Sequence, residues 1–307
     1  MIVINVLLPI FALILIGYVC RKTLRLGATA ASELNRFVVW LCLPALLFKS
    51  TATATLSQIW HPQFIAVFCL STLSVFIVTL LIRFRAKKNL AEASLDGLSA
   101  SYANTGYIGI PLCLLVAGPA GLEPALIATL IVVCLLFSLS VICIEVALQT
   151  ESSWHQAARK VLISLCKNPL VVSPILGACW GVSGAELPAA LLQFLTMLGA
   201  ATTPCALVSL GAFLAHRQTG SGRGSMQLVG IKLIVHPLMT WVLAFYVFHL
   251  PPLWAKTALL LSALPTGTGP FMLAEYYRRE ASVVSRVILL STLGSLITLS
   301  LCIYLIG

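Results

Sequence analysis

The chain has 307 residues, 60% of them hydrophobic and 9% charged, where a soluble domain carries about 25% charged residues. That balance excludes a water-soluble fold and predicts an all-α membrane protein, because a chain of this length cannot hide so much apolar surface from water. The net charge of +10 does not signal nucleic acid, since the basic residues lie in short clusters between apolar runs and form no basic face with interleaved aromatics.

Apolar runs of about 20 residues, the length that crosses a bilayer, recur along the chain. They predict ten spans near about 2–20, 34–54, 62–83, 94–117, 124–148, 168–184, 188–214, 226–248, 254–275 and 284–306. The first run, "MIVINVLLPIFALILIGYVC", lacks a basic leader and a small-residue cleavage site, so it reads as a retained span and not a signal peptide. The second carries Pro44 in "WLCLPALLF". The fourth, "SASYANTGYIGIPLCLLVAG", places Asn104, Thr105, Gly106, Gly109 and Pro111 in mid-run, where each weakens a helix. Between the fifth and sixth runs, "QTESSWHQAARK" is amphipathic enough to lie on a membrane surface. The seventh carries Pro204 in "ATTPCALVSLG" and is followed by "HRQTGSGRGS", with the composition of a flexible linker. In the eighth, "IKLIVHPLM", Lys232 is expected to snorkel to the surface and His236 to be a packed, hydrogen-bonded core residue, with a proton role for the pair as the alternative. The ninth, "LLLSALPTGTGPFMLAEYY", has Pro265, Gly267, Gly269 and Pro270 at its centre.

Charge sorts the connections by side. All but two of the 19 basic residues fall in or beside the loops after spans 1, 3, 5, 7 and 9; only Lys49 and Lys256 lie near the other face. Basic loops stay cytoplasmic, which puts both termini outside. Five spans precede the long cytoplasmic connection and five follow it, so residues 1–150 and 151–307 would enter the membrane from opposite sides. Pro44 and Pro204 recur at nearly the same offset as Thr105-Gly106 and Thr266-Gly267, the pattern of an inverted repeat.

Two interrupted spans at equivalent places predict a site at mid-membrane. Irregular backbone survives in hydrocarbon only inside protein or beside a wet cavity. Each second half-helix begins at its break with orphan N–H groups and a partial positive charge, and Pro111 and Pro270 suit the first turn of those helices. If the breaks cross, two such ends converge on an anion. Asn104, Thr105, Thr266 and Thr268 would add hydrogen-bonding side chains, and Tyr107 would close one side. The candidate binding set is Asn104, Thr105, Gly106, Tyr107, Gly109, Pro111, Pro265, Thr266, Gly267, Thr268, Gly269 and Pro270. Asp96 and Glu145, near cytoplasmic span ends, read as solvated or capping carboxylates, and Lys49 as a residue that reaches outer headgroups. Ten scattered cysteines read as apolar fillers, with no metal-ligand spacing and no cofactor implied. No catalytic signature is present, so no enzyme is expected.

The stretches "LLPIFALILIGYVCRK", "LNRFVVWLCLPALLF", "ANTGYIGIPL", "KNPLVVSPILG", "TPCALVSLGAFLA", "KLIVHPLMTW" and "ALPTGTGPFMLAE" resemble the auxin efflux carrier family in its compact prokaryotic form. The resemblance implies ten spans in a five-plus-five inverted repeat, with crossed broken helices in spans four and nine. It also implies a scaffold of spans one, two, six and seven, and secondary transport of small organic carboxylates such as malonate or malate at an inner membrane. Asn104 and the backbone from Gly106 to Pro111 would face the substrate carboxylate, and the Pro265 to Pro270 stretch would complete the crossing. The long cytoplasmic loop of plant members is missing, so hormone transport does not carry over. The small number of titratable groups at depth favours uncoupled movement, with a proton or a sodium ion left open as coupling partner and a homodimer as assembly. A receptor that binds the same anions, a passive channel, and a coupled dicarboxylate importer are the alternatives.

Overall fold

The computed structural model describes residues 2–53, 60–86, 88–149, 159, 162–163, 166–215 and 224–306. Most of the surface-helix segment after the fifth run and of the Gly/Ser linker lies outside these residues. Twelve helices are seen among them: α1 (Ile2–Lys22), α2 (Ala30–Ala52), α3 (Pro62–Arg85), α4 (Leu90–Ser101), α5 (Ile110–Ala117), α6 (122–147), α7 (Pro169–Val182), α8 (Ala189–Leu214), α9 (Ser225–Val247), α10 (Pro252–Ser262), α11 (Gly269–Tyr276) and α12 (Ser282–Ile306). No β-strand is formed among the described residues. Six helical runs are long and apolar enough to cross a bilayer: α2, α3, 112–147, α8, α9 and the bulk of α12. Their outer faces expose Ile77, Val78, Ile82, Ile234 and Ile297, a surface that is stable against lipid and not against water.

Local chemistry sets the element ends. Asn89 opens α4 by accepting the Glu92 amide at 2.8 Å and donating back to the Glu92 carboxylate at 3.1 Å, so each satisfies the other end of the first turn. Asn168 opens α7 by accepting the Leu170 amide at 3.0 Å, with Pro169 in the first turn. Gly118 takes φ +63° and, followed by Pro119, reverses the chain between α5 and α6, a conformation that costs glycine least. Inside α2 and α9 the prolines are accommodated by π-turns, Val38–Cys42 around the carbonyls that Pro44 cannot bond and Ile231–Val235 before Pro237.

The helices pack as two groups. One is α1, α2, α7 and α8; the other is built around α3, α4, α6, α9, α10 and α12, with α5 and α11 touching both. In the first group α1 and α8 approach until a Cβ on Gly211 would overlap the Ile14 carbonyl and one on Gly17 the Val208 carbonyl. Such contact between small residues replaces the hydrophobic effect, which lipid does not supply, with close van der Waals packing.

Candidate functional site

The helices α4 and α10 both stop in the interior of the second group, and the chain restarts as helix only after a short excursion. In the first break Tyr102, Ala103 and Asn104 lead into a π-turn, Thr105–Gly109, and then α5. In the second, residues 263–268 lead into α11. The two excursions meet. Asn104 donates its amide to the Pro265 carbonyl at 3.0 Å, Gly267 donates to the Tyr102 carbonyl at 3.0 Å, and Ala103 and Thr266 form an antiparallel bridge between them. Each interruption therefore satisfies backbone groups that the other frees, which is what a dry interior demands.

Side chains secure the two helix ends that arrive at the crossing. The Thr266 hydroxyl donates to the Ser99 carbonyl near the end of α4 at 2.8 Å, and the Lys232 ammonium donates to the Ser262 carbonyl at the end of α10 at 2.6 Å. Both place a donor on the negative end of a helix dipole. The Thr266 amide is bound in turn by the Ser291 hydroxyl at 3.0 Å. Tyr102 lies flat over the second break, where a Cβ on Gly269 would come within 2.5 Å of its ring and one on Gly267 within 2.9 Å.

On one side of the crossing lies a cavity of about 530 Å³. Its floor is polar: Asn104, Thr105 and Gly106 from the first break, Thr268 from the second, and Thr202 from α8 facing them. The Thr105 and Thr202 hydroxyls are buried and have no hydrogen-bond partner. The Gly106, Thr268 and Gly269 amides likewise make no backbone bond among the described residues. Its walls are apolar, supplied by Leu43, Leu46 and Leu47 of α2 and by Leu126, Leu130 and Val133 of α6, and its rim carries Lys49, Ser50, Thr53 and Glu123. Glu123 is half exposed and stands 3.8 Å from the His61 ring. Free donors at the bottom of an apolar shaft suit a small anion with an apolar body.

Of the twelve candidate residues, Asn104, Thr105, Gly106 and Thr268 line the cavity. Thr266 and Gly267 are spent on the crossing itself. Gly109 packs against Leu261 and Leu264. Pro265, Gly269 and Pro270 are buried behind the floor, Gly269 and Pro270 forming the first turn of α11. The backbone of Tyr107 and Pro111 runs through the π-turn and the start of α5, and their side chains lie outside the described residues. Sequence reasoning missed Thr202 and Thr129, and it assigned Lys49 to the headgroups although Lys49 sits on the cavity rim. The available signal for Thr202 was its place two residues before Pro204, one of the landmarks shared between the halves. Lys232 does not snorkel: it is fully buried and points inward at α10. Asp96 is also buried, in ion pairs with Arg83 at 3.3 Å and Lys88 at 2.8 Å, and Glu145 accepts the Tyr277 hydroxyl at 2.7 Å.

A polytopic helical membrane protein with a cavity beside two paired helix interruptions belongs to the class of membrane transport proteins. The chain belongs to the membrane transport protein family, the auxin efflux carriers, which it matches over residues 2–303. Among its relatives is a Rhizobium meliloti protein named "Putative malonate transporter", 28% identical over 304 residues that cover 98% of this chain and 95% of the relative. An uncharacterized transporter of Methanothermobacter thermautotrophicus is 28% identical, covering 96% of this chain and 95% of its own. The uncharacterized transporter YfdV of Escherichia coli K12 is 24% identical, covering 97% and 96%. The protein is a transporter and not an enzyme.

Proposed function

We propose that the protein is a secondary transporter of small organic carboxylates that works by alternating access, with its cargo held in the cavity beside the crossing. The observation that carries this reading is the floor of that cavity, where two buried hydroxyls, Thr105 and Thr202, lack partners and stand with Asn104 beside free amides at two helix starts. A carboxylate accepts several hydrogen bonds at once and would satisfy these donors together. The name of the Rhizobium meliloti relative supports malonate as the first cargo to try.

In this reading α4 with α5, and α10 with α11, each count as one interrupted crossing. That gives ten spans in two inverted halves, 1–150 and 151–307. The helices α1, α2, α7 and α8 serve as scaffold and the others move against them. The cavity opens at the end that carries Lys49 and Glu123, opposite the basic loops, so the conformation faces outward if the basic loops are cytoplasmic. A cell inner membrane with both termini outside is the matching location.

The test is counterflow of labelled malonate in proteoliposomes. Saturable exchange distinguishes a carrier from a passive channel, and binding without exchange would identify a receptor. Asn104→Ala is expected to lower exchange at least ten-fold while the purified protein keeps its thermal-unfolding midpoint, since a hydrogen bond to a charged group contributes roughly 1.5–3 kcal/mol. Unchanged exchange in that variant rejects the cavity floor as the binding site.

A further inference from the structure

Behind the crossing, on the side away from the cavity, two bases are buried together with no acid. Lys232 and His236 stand one turn apart on α9, at and just after its π-turn, and both are fully buried. The Lys232 Nζ lies 3.2 Å from His236 Nδ1 and 2.6 Å from the Ser262 carbonyl, while His236 Nε2 lies 3.2 Å from the Thr72 hydroxyl on α3. With Lys232 protonated, its ammonium can only donate, so Nδ1 accepts and the ring proton sits on Nε2, directed at Thr72. With Lys232 neutral, the amine can accept from Nδ1 and the tautomer can reverse.

Among the described residues no carboxylate forms an ion pair with Lys232. The charged groups on the helices packed around the pair are Arg83 and Arg85 on α3, Glu92 and Asp96 on α4, Lys256 on α10 and Arg286 on α12. Asp96 is already held by Arg83 and Lys88. A second proton on the pair would set two like charges 3.2 Å apart in a dry interior, so the pair carries one exchangeable charge. A buried lysine without a counter-ion is a poor structural choice; replacement by a well-packed apolar residue would be at least as stable.

We propose that the Lys232–His236 pair is a proton-binding site that couples proton and anion binding. The proposal rests on the carboxylate-transport reading and names its coupling ion. The link is short. Lys232 holds the last carbonyl of α10, and three residues later the Pro265 carbonyl takes the amide of Asn104, a residue of the cavity floor. With its proton, Lys232 makes a charge-assisted bond to α10 and adds positive potential behind the crossing; without it, both weaken. An anion in the cavity and a proton on the pair therefore favour one another, and the effect is reciprocal. A groove lined by Thr79, Arg83, Gln227 and Ile231 runs between α3 and α9 to the residue beside Lys232 and offers a way in.

The experiment measures labelled-malonate exchange in proteoliposomes at equal internal and external pH, from about 7 to about 9, a range in which malonate is predominantly a dianion. The wild type is expected to show a half-saturation concentration that rises about ten-fold with pH, because loss of the proton loses anion affinity. Lys232→Met is expected to flatten that dependence to under about two-fold and to abolish malonate-driven proton entry, read by a trapped pH dye. Where Lys232→Met does not fold, His236→Gln, which removes the second base and leaves the ammonium–carbonyl bond, must displace the pH profile. A wild type that exchanges no malonate overturns the transport reading and the coupling with it. Exchange that ignores pH in the wild type, or keeps its pH dependence in both variants, overturns the proton site alone.

Discussion

Thr202 and Thr105 meet the same difficulty on the cavity floor. A buried hydroxyl left without a partner costs about 1–3 kcal/mol, and neither has one. A cargo that accepts from both recovers that cost, so the hydroxyls contribute affinity out of proportion to their size. Thr202→Val keeps the shape and removes the donor. Its half-saturation concentration for a carboxylate is expected to rise roughly ten-fold, one charge-assisted hydrogen bond lost. The thermal-unfolding midpoint should stay level or rise slightly, since an unsatisfied group has gone. Thr202→Ser should restore most of the affinity, and concentration-dependent uptake measures both. An unchanged half-saturation concentration in Thr202→Val would remove α8 from the binding site.

At the scale of the element, the crossing depends on how closely Tyr102 approaches the second break. Gly269 leaves no room for a methyl group, its Cβ falling 2.5 Å from the ring. Gly269→Ala must push Tyr102 aside or bend the start of α11. The expected cost is about 1–3 kcal/mol, the usual penalty for overpacking a filled site, seen as a lower unfolding midpoint in detergent together with reduced exchange. The breaks themselves were legible in the sequence, because proline and glycine at the centre of an apolar run conflict with a helix that lipid would otherwise enforce. Which backbone groups each break consumes was not legible. Asn104 and Thr266 were both read as offering side chains to cargo; Asn104 lines the cavity with its amide tied to Pro265, whereas the Thr266 hydroxyl is turned toward Ser99. Those facts depend on the register between two segments far apart in the chain, and periodicity carries no information about register. Lys232 was misread for a related reason. A lysine near a span end can snorkel or turn inward, and the choice depends on whether a helix end with free carbonyls stands beside it, here α10. Thr202 was hidden because a threonine on a long apolar helix gives no sign of which face meets a cavity.

For the whole molecule, alternating access would require contacts that hold the end away from Lys49 and Glu123 shut. Three side chains form a chain there. Asn168, which opens α7, donates to the Tyr277 hydroxyl at 3.2 Å, and that hydroxyl donates to Glu145 near the end of α6 at 2.7 Å. Nearby, Asn35 of α2 donates to the Met272 carbonyl of α11 at 3.3 Å. Both contacts join the first packing group to the second, and both lie at the opposite end of α2 and α6 from the cavity rim. If cargo moves by relative displacement of the two groups, these bonds must break each cycle, and their strength sets how often the far end opens. Tyr277→Phe removes two hydrogen bonds while keeping the ring that packs against Tyr276. The loss is about 1–3 kcal/mol, roughly a five- to 150-fold shift in the balance of the two conformations. Hydrogen–deuterium exchange reads that shift directly. Amides at the starts of α2 and α7 should exchange faster in Tyr277→Phe, and those beside Lys49 and Glu123 more slowly, because opening one end closes the other. Faster exchange at both ends would indicate mere loosening, and no change at either would show that Tyr277 holds nothing shut.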